Sequence, residues 1–240
     1  MTARILDGQA LAQDMRAELK AEVDRMQAEH GLVPGLSVVL VGDDPASMSY
    51  VKGKRKAAAE MGVHSVESKF DADVSQQDLL AEIDRLNKDD SVHGILVQLP
   101  LPGGLDEEAA LNAINPEKDA DGLHPMNLGR LIRGQEGFLP CTPHGVQQIL
   151  MRSGIDVAGK HVVVVGRSTL VGRPLANILT KKGPGANATV TLCHTGTENL
   201  AYHTLQADIL VAATGVLSVP YLPEVPGRES FRGVQHHTGL

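Results

Sequence analysis

Hydrophobic and polar positions follow two rhythms along the chain, and the rhythm changes at glycines and prolines. Apolar residues recur at helical spacing from about Gly8 to Glu29, and the aliphatic run "LSVVLVG" (Leu36 to Gly42) follows as a short strand. A helix from about Ala46 to Met61, an amphipathic helix capped by Ser75, and a strand from Ile95 to Leu99 complete the first half. This order predicts a parallel sheet covered by helices.

The alternation restarts after a stretch rich in Pro, Gly and charge, from "NPEKDADGLHP" to "FLPCTPHG". It predicts strands at "KHVVVVG", "ATVTLCH" and "ADILVAATG", with helices over Thr142–Ser153, Arg173–Lys182 and about Glu198–Gln206. Strand, turn, helix, strand is the unit of a dinucleotide-binding domain. We therefore predict two α/β domains, residues 1–139 and 140–240, the second Rossmann-like with a parallel sheet.

Composition narrows the function classes. The chain has 240 residues and no tryptophan, so its core must be aliphatic. Its formal net charge of -7 disfavours a general nucleic-acid or anionic-membrane binder. Its two cysteines lack CxxC spacing, and the histidines lack ligand spacing, which argues against a disulfide framework and a metal site. The N-terminus carries charges where a signal peptide needs an apolar core, so we predict a cytoplasmic protein.

A glycine-bearing turn in the second half is a candidate nucleotide site. In "VVVVGRSTLVGRP", Gly166 ends a buried strand, while Gly172 and Pro174 open the following helix. Glycine lets the backbone approach a ligand closely, and a helix N-terminus offers unpaired amides to a phosphate. Because this is not the common GxGxxG fingerprint, a merely tight strand-to-helix turn remains the alternative.

The next strand bears on the choice of dinucleotide. Enzymes that prefer NAD usually end this strand with Asp or Glu, whereas this one ends with His194, Thr195 and Thr197. Without a carboxylate to repel a 2′-phosphate, and with Arg167 nearby, NADP is the predicted cofactor. The alternative is that His194 and Thr195 cap the next helix.

The stretch "MSYVKGKRKAAAEMG" concentrates positive charge on a predicted helix. Residues four apart share a helix face, so Tyr50 and Lys54 point the same way, and Lys52, Arg55 and Lys56 form a solvated face. Lys54 is then a candidate base in a cleft beyond the strand ends, where burial or nearby positive charge would tune it.

Two further polar positions lie near predicted strand ends. Gln98 follows an aliphatic strand immediately before a Pro-bounded loop, where parallel sheets place ligand contacts, and the alternative is a glutamine that satisfies loop amides. Asp119 and Asp121 lie in a short turn beside Gly122. Such aspartates are most often turn formers that bond their own backbone.

Five motifs taken together resemble one family. In order and spacing, "YVKGKRKAAAEMGV", "GILVQLPLP", "EKDADGLHP", "PCTPHGV" and "VVVVGRSTLVGRP" are similar to the bifunctional methylenetetrahydrofolate dehydrogenase/methenyltetrahydrofolate cyclohydrolase family of one-carbon metabolism. The match runs from about Ile5 to Gly215. It implies NADP-dependent oxidation of 5,10-methylenetetrahydrofolate, hydrolysis of the methenyl product to 10-formyltetrahydrofolate, a folate substrate and a homodimer.

The resemblance also implies roles for residues of the first domain. Lys54 matches the family's catalytic lysine, Tyr50 the aromatic residue that stacks on the folate, Gln98 the glutamine that tunes the lysine, and Asp121 the aspartate that holds the pterin ring. Val97 and Leu99, on either side of Gln98, are carried over as substrate-binding positions.

In the second domain the resemblance implies a cofactor loop. Gly166, Arg167 and Ser168 match that loop, with Arg167 facing the 2′-phosphate, and Thr195 stands where the family usually has a serine that helps bind NADP.

The chain leaves the family pattern after "ADILVAATG". The sequence lacks a strand like "VIDVGIN", a loop like "PGGVGPMT" and a helix that returns to the first domain. The tail from about 216 looks unrelated to the family, and Pro220, Pro223 and Pro226 exclude a central strand or helix there. We therefore expect impaired or absent activity. The alternative function is an altered family member that has lost one or both activities, a non-catalytic NADP-binding or dimerising remnant.

Overall fold

A computed structural model describes residues 5–215 and, as backbone, residues 234–237. Residues 12–127 form one compact unit, and the described residues before and after them form a second.

The first unit is an alternation of helices and strands. Its elements are α1 (Gly8–His30), β1 (Gly35–Val41), α2 (Pro45–Met61), β2 (His64–Phe70), α3 (Gln76–Lys88), β3 (Gly94–Val97), α4 (Glu107–Ala113), a 3-10 turn (Pro116–Lys118) and α5 (Pro125–Ile132). Helices α1 and α5 run across the two limits of the unit. The strands form a three-stranded parallel sheet in the order β2-β1-β3.

Strand β1 is the central strand of the sheet, and both of its faces are covered. Val39 and Val41 pack into a cluster with Leu79 and Ile83 of α3, while the opposite face packs against α2. A strand buried on both faces reads as the continuous aliphatic run that predicted it. Ser75 caps α3 as predicted, accepting a hydrogen bond from the backbone N–H of Asp78.

Strand β2 was not predicted. It pairs in parallel with β1 over its full length, from His64 to Phe70, at the sheet edge. Its sequence "HSVESKF" carries too many polar residues to read as a buried strand, because only part of an edge strand is covered.

The second unit also alternates helices and strands. Its elements after α5 are α6 (Cys141–Arg152), β4 (His161–Val165), α7 (Gly172–Thr180), β5 (Thr189–Cys193), α8 (Leu200–Thr204), β6 (Ile209–Ala212) and β7 (Val234–His237). The strands form a four-stranded parallel sheet in the order β5-β4-β6-β7, which confirms the predicted Rossmann-like alternation. Val162, Val164 and Leu175 lie in its aliphatic core.

Strand β7 comes from the tail that looked unrelated to the family. The family's "VIDVGIN" is absent from the sequence, yet Val234–His237 pairs in parallel with β6. The prolines expected to exclude a strand or helix, Pro220, Pro223 and Pro226, lie outside the described residues.

Within the part of the chain that the structure describes, none of the helices has the length and apolar character needed to cross a membrane.

Candidate functional site

Helix α2 positions the predicted tyrosine and lysine. It begins at Pro45 after Asp44, whose carboxylate accepts a hydrogen bond from the Ser47 N–H (2.8 Å), and this bond holds the pKa of Asp44 below its usual range. Tyr50 and Lys54 lie one turn apart near the middle of the helix. Tyr50 is exposed and Lys54 is half-buried, which is an accessible aromatic ring beside a partly sheltered amine.

Lys54 and Gln98 are brought together although 44 positions separate them in sequence. Lys54 Nζ donates a hydrogen bond to Gln98 Oε1, with an Nζ–Oε1 distance of 3.1 Å. Gln98 Nε2 in turn donates to the Leu99 carbonyl (2.7 Å), so both ends of the amide are fixed. Gln98 therefore hydrogen-bonds the carbonyl of a loop amide, as the alternative interpretation of this glutamine predicted, and it also hydrogen-bonds the lysine.

The backbone around Gln98 continues the sheet. Gln98 N–H donates to the Val39 carbonyl of β1 (2.9 Å), and Leu101 N–H donates to the Glu107 carboxylate (2.8 Å). These bonds hold the loop after β3 at the carboxyl end of the strands, where α/β proteins bind ligands. Glu107 is a supporting residue that the sequence did not reveal.

Val97 and Leu99 flank Gln98 but differ in environment. The Val97 side chain is buried in the core with Leu79, whereas Leu99 is partly buried against the same cluster. A ligand could therefore meet Val97 only through its backbone.

The turn that carries the two aspartates is anchored by Asp119. This buried carboxylate accepts hydrogen bonds from the N–H groups of Leu123 and His124 and from Asn127 Nδ2 (2.8 Å for the last). Ala120 N–H donates to the carbonyl of Ile95 in β3 (3.2 Å), which fixes the turn beside that strand. Asp119 thus has the turn-forming role that its sequence context predicted.

Asp121, two residues after this anchor, is half-buried in the turn beside β3. Asn127 is a second supporting residue that sequence reasoning missed, because no local pattern marks a buried amide whose partner lies eight residues away.

In the second unit, the loop after β4 has space only for glycine at two positions. Gly166 has φ 129°, and a Cβ there would meet the Ala213 carbonyl oxygen at 2.2 Å. A Cβ on Gly172 would meet the Gly166 carbonyl oxygen at 1.9 Å. The backbone of the strand-to-helix turn is therefore tightly closed, as its sequence predicted.

Ser168 closes this loop through its hydroxyl. Its Oγ accepts hydrogen bonds from the N–H groups of Val171 (3.1 Å) and Gly172 (3.4 Å). The hydroxyl proton is not used in these bonds, so Ser168 can still donate to a ligand.

The end of β5 lies next to the same loop. Gly166 N–H donates to the Cys193 carbonyl (2.8 Å), and Arg167 Nη1 lies 3.3 Å from His194 Nε2. Thr195 is exposed in the turn that follows. Arg167 and the residues at the end of β5 are thus neighbours, as the cofactor hypothesis requires.

The capping alternative for His194 and Thr195 is wrong. Helix α8 starts at Leu200 and is capped by Asn199, whose side chain accepts a hydrogen bond from the Tyr202 N–H (3.2 Å). Asn199 adopts φ 49°, which asparagine tolerates better than most residues. His194 and Thr195 are therefore left for another role.

Comparison with protein families assigns the two halves of the chain to two domains of one family. Residues 6–121 match the tetrahydrofolate dehydrogenase/cyclohydrolase catalytic domain, and residues 140–219 match the NAD(P)-binding domain of the same family. The bifunctional protein FolD of Dehalococcoides mccartyi is 56% identical over 215 residues, which span 90% of this chain and 73% of that protein.

Solved structures give the same result. The bifunctional methylenetetrahydrofolate dehydrogenase/cyclohydrolase of Campylobacter jejuni superposes with a TM-score of 0.85 at 45% identity, covering 90% of this chain and 75% of that one. The Trypanosoma brucei enzyme, in complex with NADP cofactor and an inhibitor, superposes with a TM-score of 0.83 at 40% identity, covering 90% and 73%. With both halves matched in order, this chain belongs to the tetrahydrofolate dehydrogenase/cyclohydrolase family.

Proposed function

We propose that this chain oxidises 5,10-methylenetetrahydrofolate with NADP and hydrolyses the resulting methenyl compound to 10-formyltetrahydrofolate. The observation that carries the proposal is the hydrogen bond from Lys54 to Gln98 at 3.1 Å, inside the part of the chain that matches the family's catalytic domain. It joins an amine that can exchange a proton to an amide with a fixed orientation. Family membership supplies the reaction on which such a pair acts.

Lys54 handles the proton in the hydrolytic step. Water attacks the methenyl carbon, and the neutral amine of Lys54 accepts or relays the proton that the water loses. Because Gln98 is itself held by the Leu99 carbonyl, its Oε1 keeps the amine in one place. The positive charge of the methenyl substrate disfavours a second positive charge beside it, which supports the unprotonated form of the amine.

Four further residues are proposed to bind the folate. Tyr50 shares the Lys54 face of α2 and offers an exposed ring for stacking. Asp121 offers a carboxylate to the N–H groups of the pterin, on a turn already held by Asp119. Val97 and Leu99 contribute backbone at the end of β3.

The residues after β4 fit a dinucleotide. A Cβ at Gly166 or Gly172 would collide with the chain's own backbone, so both glycines keep the turn tight, and it leads into the N-terminus of α7, which offers N–H groups to a phosphate. We assign Gly166, Arg167, Ser168 and Thr195 to NADP. When bound, NADP accepts a hydride from the methylene carbon of the substrate.

The choice of NADP over NAD follows from charge at the end of β5. Arg167 is exposed there, and the strand is followed by His194 and Thr195, with no carboxylate. A 2′-phosphate would thus meet a positive guanidinium, and residues 194–197 carry no carboxylate to repel it.

Wider features of the family are also proposed for this chain. They are a folate-binding domain over residues 1–139, an NADP-binding domain over residues 140–240, a homodimer, a cytoplasmic location, and a role in one-carbon supply to purine, methionine and histidine biosynthesis. The net charge of -7 supports a protein without a nucleic-acid or membrane partner.

Two separate assays test the proposal. Purified protein should reduce NADP with 5,10-methylenetetrahydrofolate, and in a second reaction without dinucleotide it should hydrolyse 5,10-methenyltetrahydrofolate. None of the comparisons supports the alternative of a non-catalytic remnant. Tight NADP binding without turnover of either folate would nevertheless establish that alternative and reject the proposal.

A further inference from the structure

We propose that His194 is a second ligand of the cofactor's 2′-phosphate beside Arg167, and that it sets part of the preference for NADP over NAD. This inference rests on the proposed function, because it assumes that the loop after β4 binds a dinucleotide.

The position of His194 follows from hydrogen bonds in its own turn. Its N–H donates to Thr197 Oγ1 (2.8 Å), and the Thr197 N–H donates back to the His194 carbonyl (2.8 Å). This turn directly follows β5, whose last residue, Cys193, pairs with Val165 at the end of β4. The imidazole is therefore fixed next to the loop that starts at Gly166.

The imidazole is also oriented by a backbone donor. Gly196 N–H lies 3.0 Å from His194 Nδ1, so Nδ1 accepts this bond and carries no hydrogen. Neutral imidazole has one donor and one acceptor nitrogen, and the hydrogen must then lie on Nε2.

That tautomer turns a donor toward another donor. Arg167 Nη1 lies 3.3 Å from His194 Nε2, and a guanidinium has no acceptor. The two groups cannot satisfy each other while Gly196 holds Nδ1. An anion that accepts from both would satisfy both, and the 2′-phosphate is the anionic part of NADP recognised at the end of this strand.

Glycine at position 196 lets the imidazole lie this close to the backbone. A Cβ there would lie 3.3 Å from both Nδ1 and Cε1 of His194, closer than an ordinary contact. A side chain would therefore push the ring away while the backbone N–H remained. Gly196→Ala is a variant that displaces the imidazole without removing it.

The test uses two small probes, 2′,5′-ADP and 5′-AMP, which differ only in the 2′-phosphate. Calorimetry should show that His194→Leu weakens 2′,5′-ADP binding by about tenfold, the effect of losing one hydrogen bond to a charged group, and leaves 5′-AMP unchanged. His194→Gln keeps an N–H donor near the Nε2 position and should recover most of this loss. Gly196→Ala should lie between wild type and His194→Leu.

His203→Gln is the matched control, since it changes a histidine of α8 outside the turn. If His194→Leu weakens both probes equally, the histidine has only a structural role and the inference fails. The inference also fails if wild type prefers 2′,5′-ADP over 5′-AMP but His194→Leu binds 2′,5′-ADP as tightly as wild type does. That result would leave the proposed function intact. A wild-type protein without preference for 2′,5′-ADP would reject both the inference and the NADP assignment.

Discussion

Replacing Gly172 by alanine should damage the nucleotide loop in a way that the structure allows to be estimated. The new Cβ would lie 1.9 Å from the Gly166 carbonyl oxygen. Because an ordinary carbon–oxygen contact is roughly 3.3 Å, the two backbones must separate by about 1.4 Å. The neighbouring atom is backbone and not the end of a flexible side chain, so the strain is not relieved by a rotamer change.

Gly145→Ala provides the reference for this strain. Gly145 lies inside α6, and a Cβ there would meet no atom within 4 Å. Gly145→Ala gains roughly 1 kcal/mol of helix propensity because Gly145 lies in a helix interior. Gly172 is the first residue of α7, so its replacement gains less and suffers overpacking, at about 1–3 kcal/mol. We expect Gly172→Ala to be about 2 kcal/mol less stable than Gly145→Ala, roughly 4–8 °C in Tm.

The assays are thermal unfolding and calorimetric NADP binding, followed by cyclohydrolase activity without dinucleotide. Gly172→Ala should bind NADP at least about tenfold more weakly, because the loop backbone has moved, yet hydrolyse methenyltetrahydrofolate normally. If it matched Gly145→Ala in Tm and bound NADP like wild type, the close approach of the two glycines would not be what shapes the site.

Three other outcomes are expected. Gln98→Met removes the hydrogen-bond acceptor for Lys54 and should lower the cyclohydrolase kcat by about tenfold to a hundredfold with little change in KM. Steady-state kinetics measures this, and an unchanged kcat would show that the Lys54–Gln98 hydrogen bond has no catalytic use. Burial lowers the pKa of His144 from 6.5, so the folded state binds fewer protons than the unfolded state, and the contribution of neutral His144 to stability is present above about pH 6.5 and lost as pH falls through the folded-state pKa. The Tm should therefore drop less on acidification in His144→Gln than in wild type, and an equal pH dependence of the two proteins would contradict this. Burial raises the pKa of the Cys193 thiol, whereas Cys141 is exposed, so limited maleimide treatment should label Cys141 first. Peptide mass spectrometry can identify the labelled cysteine, and faster labelling of Cys193 would contradict its burial.

Local pattern was sufficient for the elements that bury continuous aliphatic faces. The strand around Val39, the helix capped by Ser75 and the turn at Gly166 were all predicted because each has a signal within a few residues. Edge strand β2 was missed since most residues of "HSVESKF" are polar, and β7 was missed since nothing in the tail resembles a buried strand.

Contacts across long sequence separations are a different matter. No periodicity indicates that Lys54 meets Gln98, or that Asn127 supports Asp119, because such contacts depend on how strands and helices pack. The family resemblance supplied the first of these pairs and not the second. Likewise, the role of Asn199 as the cap of α8 depends on a left-handed backbone conformation that the sequence does not reveal.

The most direct test of the account is the cyclohydrolase rate of Lys54→Gln beside that of Lys52→Gln. Both variants remove one positive charge from α2, but Lys52 is exposed, whereas Lys54 donates to Gln98. We expect a loss of about 10²–10⁴-fold for Lys54→Gln, the usual contribution of a general base, with NADP affinity unchanged and Lys52→Gln close to wild type. Hydrolysis by Lys54→Gln at the wild-type rate would contradict it.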